Sequence, residues 1–113
     1  MYSSKPYYAV IFTSKHTVNT QGYSEMAKKM EALAKQQKGY IGMDSARNNS
    51  ATSLSTDIGI TVSYWESVEA IKNWKTNSEH LMAQHKGRTQ WYNWYNVRIC
   101  KVEREYEFNN ATN

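Results

Sequence analysis

The chain has 113 residues, and 14 Lys and Arg against 10 Asp and Glu give it a formal charge of +4, so it is sized for one domain with a real core. The cations are scattered rather than massed, which argues against a nucleic-acid footprint, and a single cysteine, Cys100, excludes an intrachain disulfide or a multi-cysteine zinc site. The start of the chain lacks a signal-peptide pattern and no stretch approaches the ~18 apolar residues of a membrane span, so the expectation is a soluble, cytoplasmic protein with no membrane partner.

The first apolar run, Tyr7-Tyr8-Ala9-Val10-Ile11-Phe12-Thr13, follows Pro6 and reads as a strand buried on both faces. Residues 14–22 read as a polar loop, which leaves His16 outside any element. Met26, Ala27, Met30, Leu33 and Ala34 then recur at helical spacing with Lys28, Lys29, Glu31 and Lys35 opposite, and Gly39 is placed to close that helix. A second strand is expected from Tyr40 to about Arg47. The Ser-, Thr- and Asn-rich residues 48–56 form a hairpin loop, and Ile58 to Trp65 is the third strand.

Ser67 is a good cap for the next helix, with Glu69 favourable in its first turn. That helix carries Val68, Ala70, Ile71 and Trp74. Asn77 and Ser78 are expected to interrupt it, Ser78 capping a second helical piece through Leu81 and Met82. The last strand is expected from Tyr95 to Phe108. Its apolar face switches after Ile99, which asks either for a bulge or for a strand that leaves its own sheet and packs on a partner. Cys100 reads as a small buried hydrophobe.

The order β-α-β-β-α-β is the split βαβ arrangement, an α+β, ferredoxin-like fold filling residues 1–113 as one domain with its core at about 6–108. Two helices on one face of a sheet leave the other face bare, yet the strands are apolar on both. No further element in the sequence can cover that face, so a homodimer is expected, the second subunit's sheet packing on the first. Nine tyrosines, four tryptophans and two phenylalanines crowd into Trp91-Tyr92-Asn93-Trp94-Tyr95. Such a cluster suits a core or subunit interface, and it also suits the wall of a pocket for a flat ligand.

The run Tyr7 to Thr13, the segment Gly59-Ile60-Thr61-Val62-Ser63-Tyr64-Trp65, and the downstream series Trp74, Glu79-His80, Ala83-Gln84, Gly87-Arg88, Trp91-Tyr92, Tyr95, Arg98-Ile99, Val102-Glu103-Arg104 and Tyr106 together resemble antibiotic biosynthesis monooxygenase domains. The resemblance spans roughly Tyr7 to Phe108. It implies a dimeric α/β barrel whose C-terminal strand reaches across the dimer. It also implies one of two chemistries: oxidation of polycyclic phenols or quinols by molecular oxygen without metal or flavin, or haem binding and degradation. For the haem-degrading kind, Trp74 matches the expected tryptophan. The first strand, Ile11-Phe12-Thr13-Ser14, lacks the expected Asn, and the expected histidine falls on Gln84, between His80 and His85.

Five residues separate His80 from His85, about 140° around an ideal helix, so they cannot share one metal and no metal site is expected. One histidine would suffice as an axial haem ligand. The sequence reading is therefore a cofactor-independent monooxygenase for a small aromatic or quinol-type molecule. Its alternatives are a haem-binding or haem-degrading monooxygenase and a non-catalytic ligand-binding module. Trp74 and His80 are the candidate catalytic residues, and Tyr64, Trp65, His85, Trp91, Tyr92 and Asn93 the candidate substrate contacts. The pocket is expected between the sheet and the broken second helix. The topology would also fit an RNA-recognition domain, but no basic-aromatic string of the required kind appears on the middle strands, so no nucleic-acid partner is expected.

Overall fold

A computed structural model describes residues 5–17, 22–47, 58–85 and 91–110. Its elements are β1 (Tyr7–His16), α1 (Tyr23–Lys35), β2 (Tyr40–Arg47), β3 (Ile58–Trp65), α2 (Val68–His85) and β4 (Tyr92–Val102). The strands form one antiparallel sheet in the order β2-β3-β1-β4, the ferredoxin-like α+β arrangement. The hairpin loop expected at 48–56 lies outside the described residues. Among the described residues no helix is long and apolar enough to cross a membrane.

Side chains alternate between the two faces of a strand, and the register assigns them. Tyr8, Val10, Phe12 and Ser14 of β1 stand opposite Trp65, Ser63, Thr61 and Gly59 of β3. Tyr8 and Val10 pack on the cluster Ala34, Trp65, Ala70 and Ile71, which fixes this as the helix-covered face. Trp65 is 0% exposed. Its indole N–H donates to Ser63 Oγ at 2.8 Å, so the largest side chain of the core leaves no donor unpaired. Gly39 (φ 90°) makes the turn into β2. A Cβ there would lie 2.7 Å from Ala70 Cβ, so the turn sits directly against the first turn of α2.

The Ser67 cap is present: the Ala70 N–H donates to Ser67 Oγ at 3.1 Å. The break at Asn77 and Ser78 is not, and α2 runs unbroken to His85. The polar side chains expected to break the helix are satisfied in other ways. Thr76 Oγ1 donates back to the Lys72 carbonyl at 3.1 Å and Ser78 Oγ to the Lys75 carbonyl at 3.0 Å. Asn77 Nδ2 reaches out to Gln37 Oε1 at 3.0 Å.

Three other expectations are corrected. The first helix ends at Lys35 rather than at Gly39. β1 continues through Ser14 and Lys15 to His16, which is buried rather than in a loop. Cys100 is exposed. β4 keeps regular register on β1 from Trp94 to Val102, the one irregularity lying between Lys15 and His16. No bulge accompanies the switch after Ile99; the strand is apolar on both faces and then leaves the sheet, with residues 103–110 unpaired as a strand.

Candidate functional site

Three cross-strand rows on the helix-covered face form the floor of a cavity of about 920 Å³. Met43, Ser63, Val10 and Ile99 make the first row, and Ser45, Thr61, Phe12 and Val97 the second. Arg47, Gly59, Ser14 and Tyr95 make the third. Met26 and Met30 of α1 and Ile71 and Trp74 of α2 close it from above. The wall is thus largely methionine, aliphatic and aromatic, the surface that suits a flat apolar molecule.

Polarity gathers on the third row. Arg47 Nη2 donates to Ser14 Oγ at 3.0 Å, and Ser14 is itself almost fully buried. Tyr92 closes this end against Phe12 and Tyr95, with ring centroids 5.5 and 5.7 Å away. Burial pushes the Tyr92 phenol well above its ordinary value of 10.0, Tyr23 adds to the shift by charge and hydrogen bond, and Arg47 opposes it. Tyr92 therefore stays protonated and can serve as a hydrogen-bond donor. Its raised pKa also has a consequence for stability. An unfolded tyrosine ionises near 10.0 while the buried one holds its proton, so stability should fall as pH rises past that value. Tyr7 and Tyr64, also raised, add to the same loss. Urea midpoints measured from neutral to strongly alkaline pH should show this decline, and Tyr92→Phe should make it shallower.

The residues singled out in the sequence scatter. Trp74 and Tyr92 line the cavity. Trp65 lies behind Trp74, its ring stacked on it at 5.9 Å and 24°. Trp91 is buried against the Tyr23 ring, 5.8 Å away. Tyr64 belongs to the other face of the sheet, where its hydroxyl donates to Asp44 at 2.9 Å. Asn93 is exposed and donates to the His16 carbonyl at 3.4 Å. His80 is exposed on α2 and off the cavity wall. The His85 side chain lies outside the described residues. A haem would need an axial ligand on this wall, and among the described side chains no histidine lines it. Among the described residues there is also no cluster of three or more His, Cys, Asp or Glu that could hold a metal ion.

Arg47, Ser14, Gly59 and Tyr95 are site residues that the sequence reading misses. The one signal for them is a glycine inside an otherwise β-branched strand, Ile58-Gly59-Ile60, since a strand glycine often marks close approach of another group.

The sequence profile of DUF3291, a domain of unknown function, matches residues 8–100. The uncharacterized protein YqjZ of Bacillus subtilis (strain 168) is 45% identical over 108 residues, covering 96% of this chain and 90% of YqjZ. Antibiotic-biosynthesis-monooxygenase-like proteins share the fold. One such solved structure is SnoaB, a cofactor-independent oxygenase from Streptomyces nogalater, with a TM-score of 0.64 and 10% identity over 90% of this chain and 97% of that one. Another is MhuD, solved with manganese protoporphyrin IX bound, with a TM-score of 0.61 and 17% identity over 89% of this chain and 99% of that one. The scaffold is therefore of the monooxygenase type.

Proposed function

This chain belongs to the DUF3291 family, and from that footing we propose that it binds a flat aromatic or quinol-type molecule in the cavity and oxidises it with molecular oxygen. The observation that carries this reading is the cavity itself: about 920 Å³, largely apolar along two rows and polar at the third. Its size suits a small polycyclic molecule, and the site has the usual make-up of an apolar wall with a few converging polar groups. In cofactor-independent oxygenation the substrate loses a proton and its carbanion passes an electron to oxygen. The balance closes without a further reductant: a ring methylene and one molecule of dioxygen give a ring carbonyl and one molecule of water. The protein's part is to bury the ring and aim donors at the oxygen where charge develops. The Tyr92 hydroxyl and the Arg47 guanidinium suit that part, and Trp74 supplies a flat face for the ring.

Oxygen uptake with a panel of quinols and anthrones tests the reading, and a haem titration followed by optical spectrum tests the haem alternative beside it. Trp74→Phe should keep the fold and lower ligand affinity or turnover. His80→Ala should change neither, since His80 is off the wall. A Trp74→Phe protein that loses several kcal/mol of stability with unaltered function would make Trp74 ordinary core. A panel in which no compound binds or consumes oxygen would remove the reading altogether.

The partner in this reading is a second copy of the chain. The face of the sheet away from the helices carries Ile58, Ile60, Trp94 and Cys100, all exposed. Nothing described in the chain packs on them from outside the sheet.

A further inference from the structure

Building on the cavity as a ligand site, we propose that its third row is an anion anchor, and that the molecule it takes carries an ionised oxygen acid, a carboxylate or a phenolate, bound by Arg47. Three observations converge on Arg47. Its Nη2 is held by Ser14 on β1, two strands away, so the guanidinium lies across the sheet rather than out in solvent. Its Nη1 is shielded from solvent and meets no hydrogen-bond acceptor. Among the described residues no carboxylate forms an ion pair with it.

A guanidinium withdrawn from water without a counter-charge is unfavourable unless an anion joins it. Arg47 therefore has one donor committed to fixing its position and another turned toward a partner that the chain does not supply. The position is also prepared. A methyl group at residue 59 would overlap the guanidinium, so the glycine in mid-strand β3 is what lets Arg47 lie flat on the sheet. If Arg47 were an ordinary surface cation, nothing about residue 59 would matter to it. Ring faces close the same end, with Phe12 and Tyr95 5.4 Å apart, so the anionic head would continue directly into an aromatic or apolar body.

Three probes of one ring size separate the possibilities: 2-naphthoate, 2-naphthol and neutral 2-naphthalenemethanol, followed by quenching of tryptophan fluorescence in the full chain. The wild-type protein should bind 2-naphthoate about tenfold or more tighter than the neutral alcohol, the margin expected of one charge-assisted hydrogen bond. Arg47→Met should erase that margin and leave the alcohol's affinity unchanged. Gly59→Ala should do the same with Arg47 still present, because it displaces the guanidinium. It also serves as the second variant should Arg47→Met fold poorly. If 2-naphthol instead binds with the absorption spectrum of its ionised form, and loses that spectrum in both variants, the natural head group is a phenolate. Equal binding of all three probes by wild type and variants would overturn the anchor while leaving the cavity reading in place. Failure of every probe to bind would overturn both.

Discussion

Trp65→Ala is expected to destabilise the protein by about 3–5 kcal/mol, the range for truncating a fully buried tryptophan. The side chain is 0% exposed, and its removal strips contacts from Tyr40, 5.5 Å away centroid to centroid, and from Trp74. It also leaves Ser63 Oγ without the donor that now reaches it. Domains of this size are held by roughly 5–15 kcal/mol in all, so the loss should lower Tm by more than about 10 °C. Thermal and urea unfolding of the purified variant check this. Trp74→Phe is the control. Trp74 is only partly buried and faces the cavity, so its truncation to a smaller ring should be far milder. Equal losses at the two positions would show that both belong to one core and that Trp74 is no part of a cavity wall.

Truncation after Val102 is expected to turn a dimer into a monomer while leaving the fold in place. Every ladder pairing of the sheet lies within residues 7–102, so the four strands survive the cut. What is removed is a segment whose Tyr106 and Phe108 are 83% and 88% exposed, large apolar side chains with almost no contact in their own chain. Such residues read as an arm that finds its burial on a second copy. The one anchor lost within the chain is the Tyr7 to Glu105 hydrogen bond, at the start of β1. Ile60→Lys makes the same test from the other side. Ile60 is 43% exposed on the helix-free face, where a charge is harmless in a monomer and would be buried in a sheet-to-sheet dimer. Light scattering at micromolar concentration should report a dimer for the wild type and a monomer for both variants. A wild type that is monomeric under those conditions would remove the second copy from the account and leave the sheet face to some other partner.

How much of the fold is legible in the sequence can be followed residue by residue. β2 and β3 are bounded where the sequence places them, because β-branched runs flanked by polar loops leave little choice. Ser67 caps α2 as its position next to an apolar run requires. The expected helix break fails because Thr76, Asn77 and Ser78 act as helix breakers only if their side chains compete for backbone donors. Here they turn to carbonyls one turn back and to Gln37, forty residues away in sequence. The end of β1 departs from expectation for a similar reason. Ser14, Lys15 and His16 are polar by type, yet they stay in the strand because β4 and β3 pair with them and aromatic rings bury His16.

By itself the sequence determined the element order, the ferredoxin-like class and the apolar character of both sheet faces. These follow from period and composition, which are local properties of the chain. The tertiary structure decided which residues meet. Arg47, Gly59, Ser14 and Tyr95 come from four strands and lie in one row only because the register of three ladders aligns them. A shift of one residue in any ladder would send that side chain to the opposite face. Trp65 and Trp74 look alike in the sequence, and burial separates them into core and wall. His80 is chemically apt for a site, and its place on α2 turns it to solvent. Residue type limits what a side chain can do, while cross-strand register and helix phase set what it can reach, and neither is encoded within a short stretch of sequence.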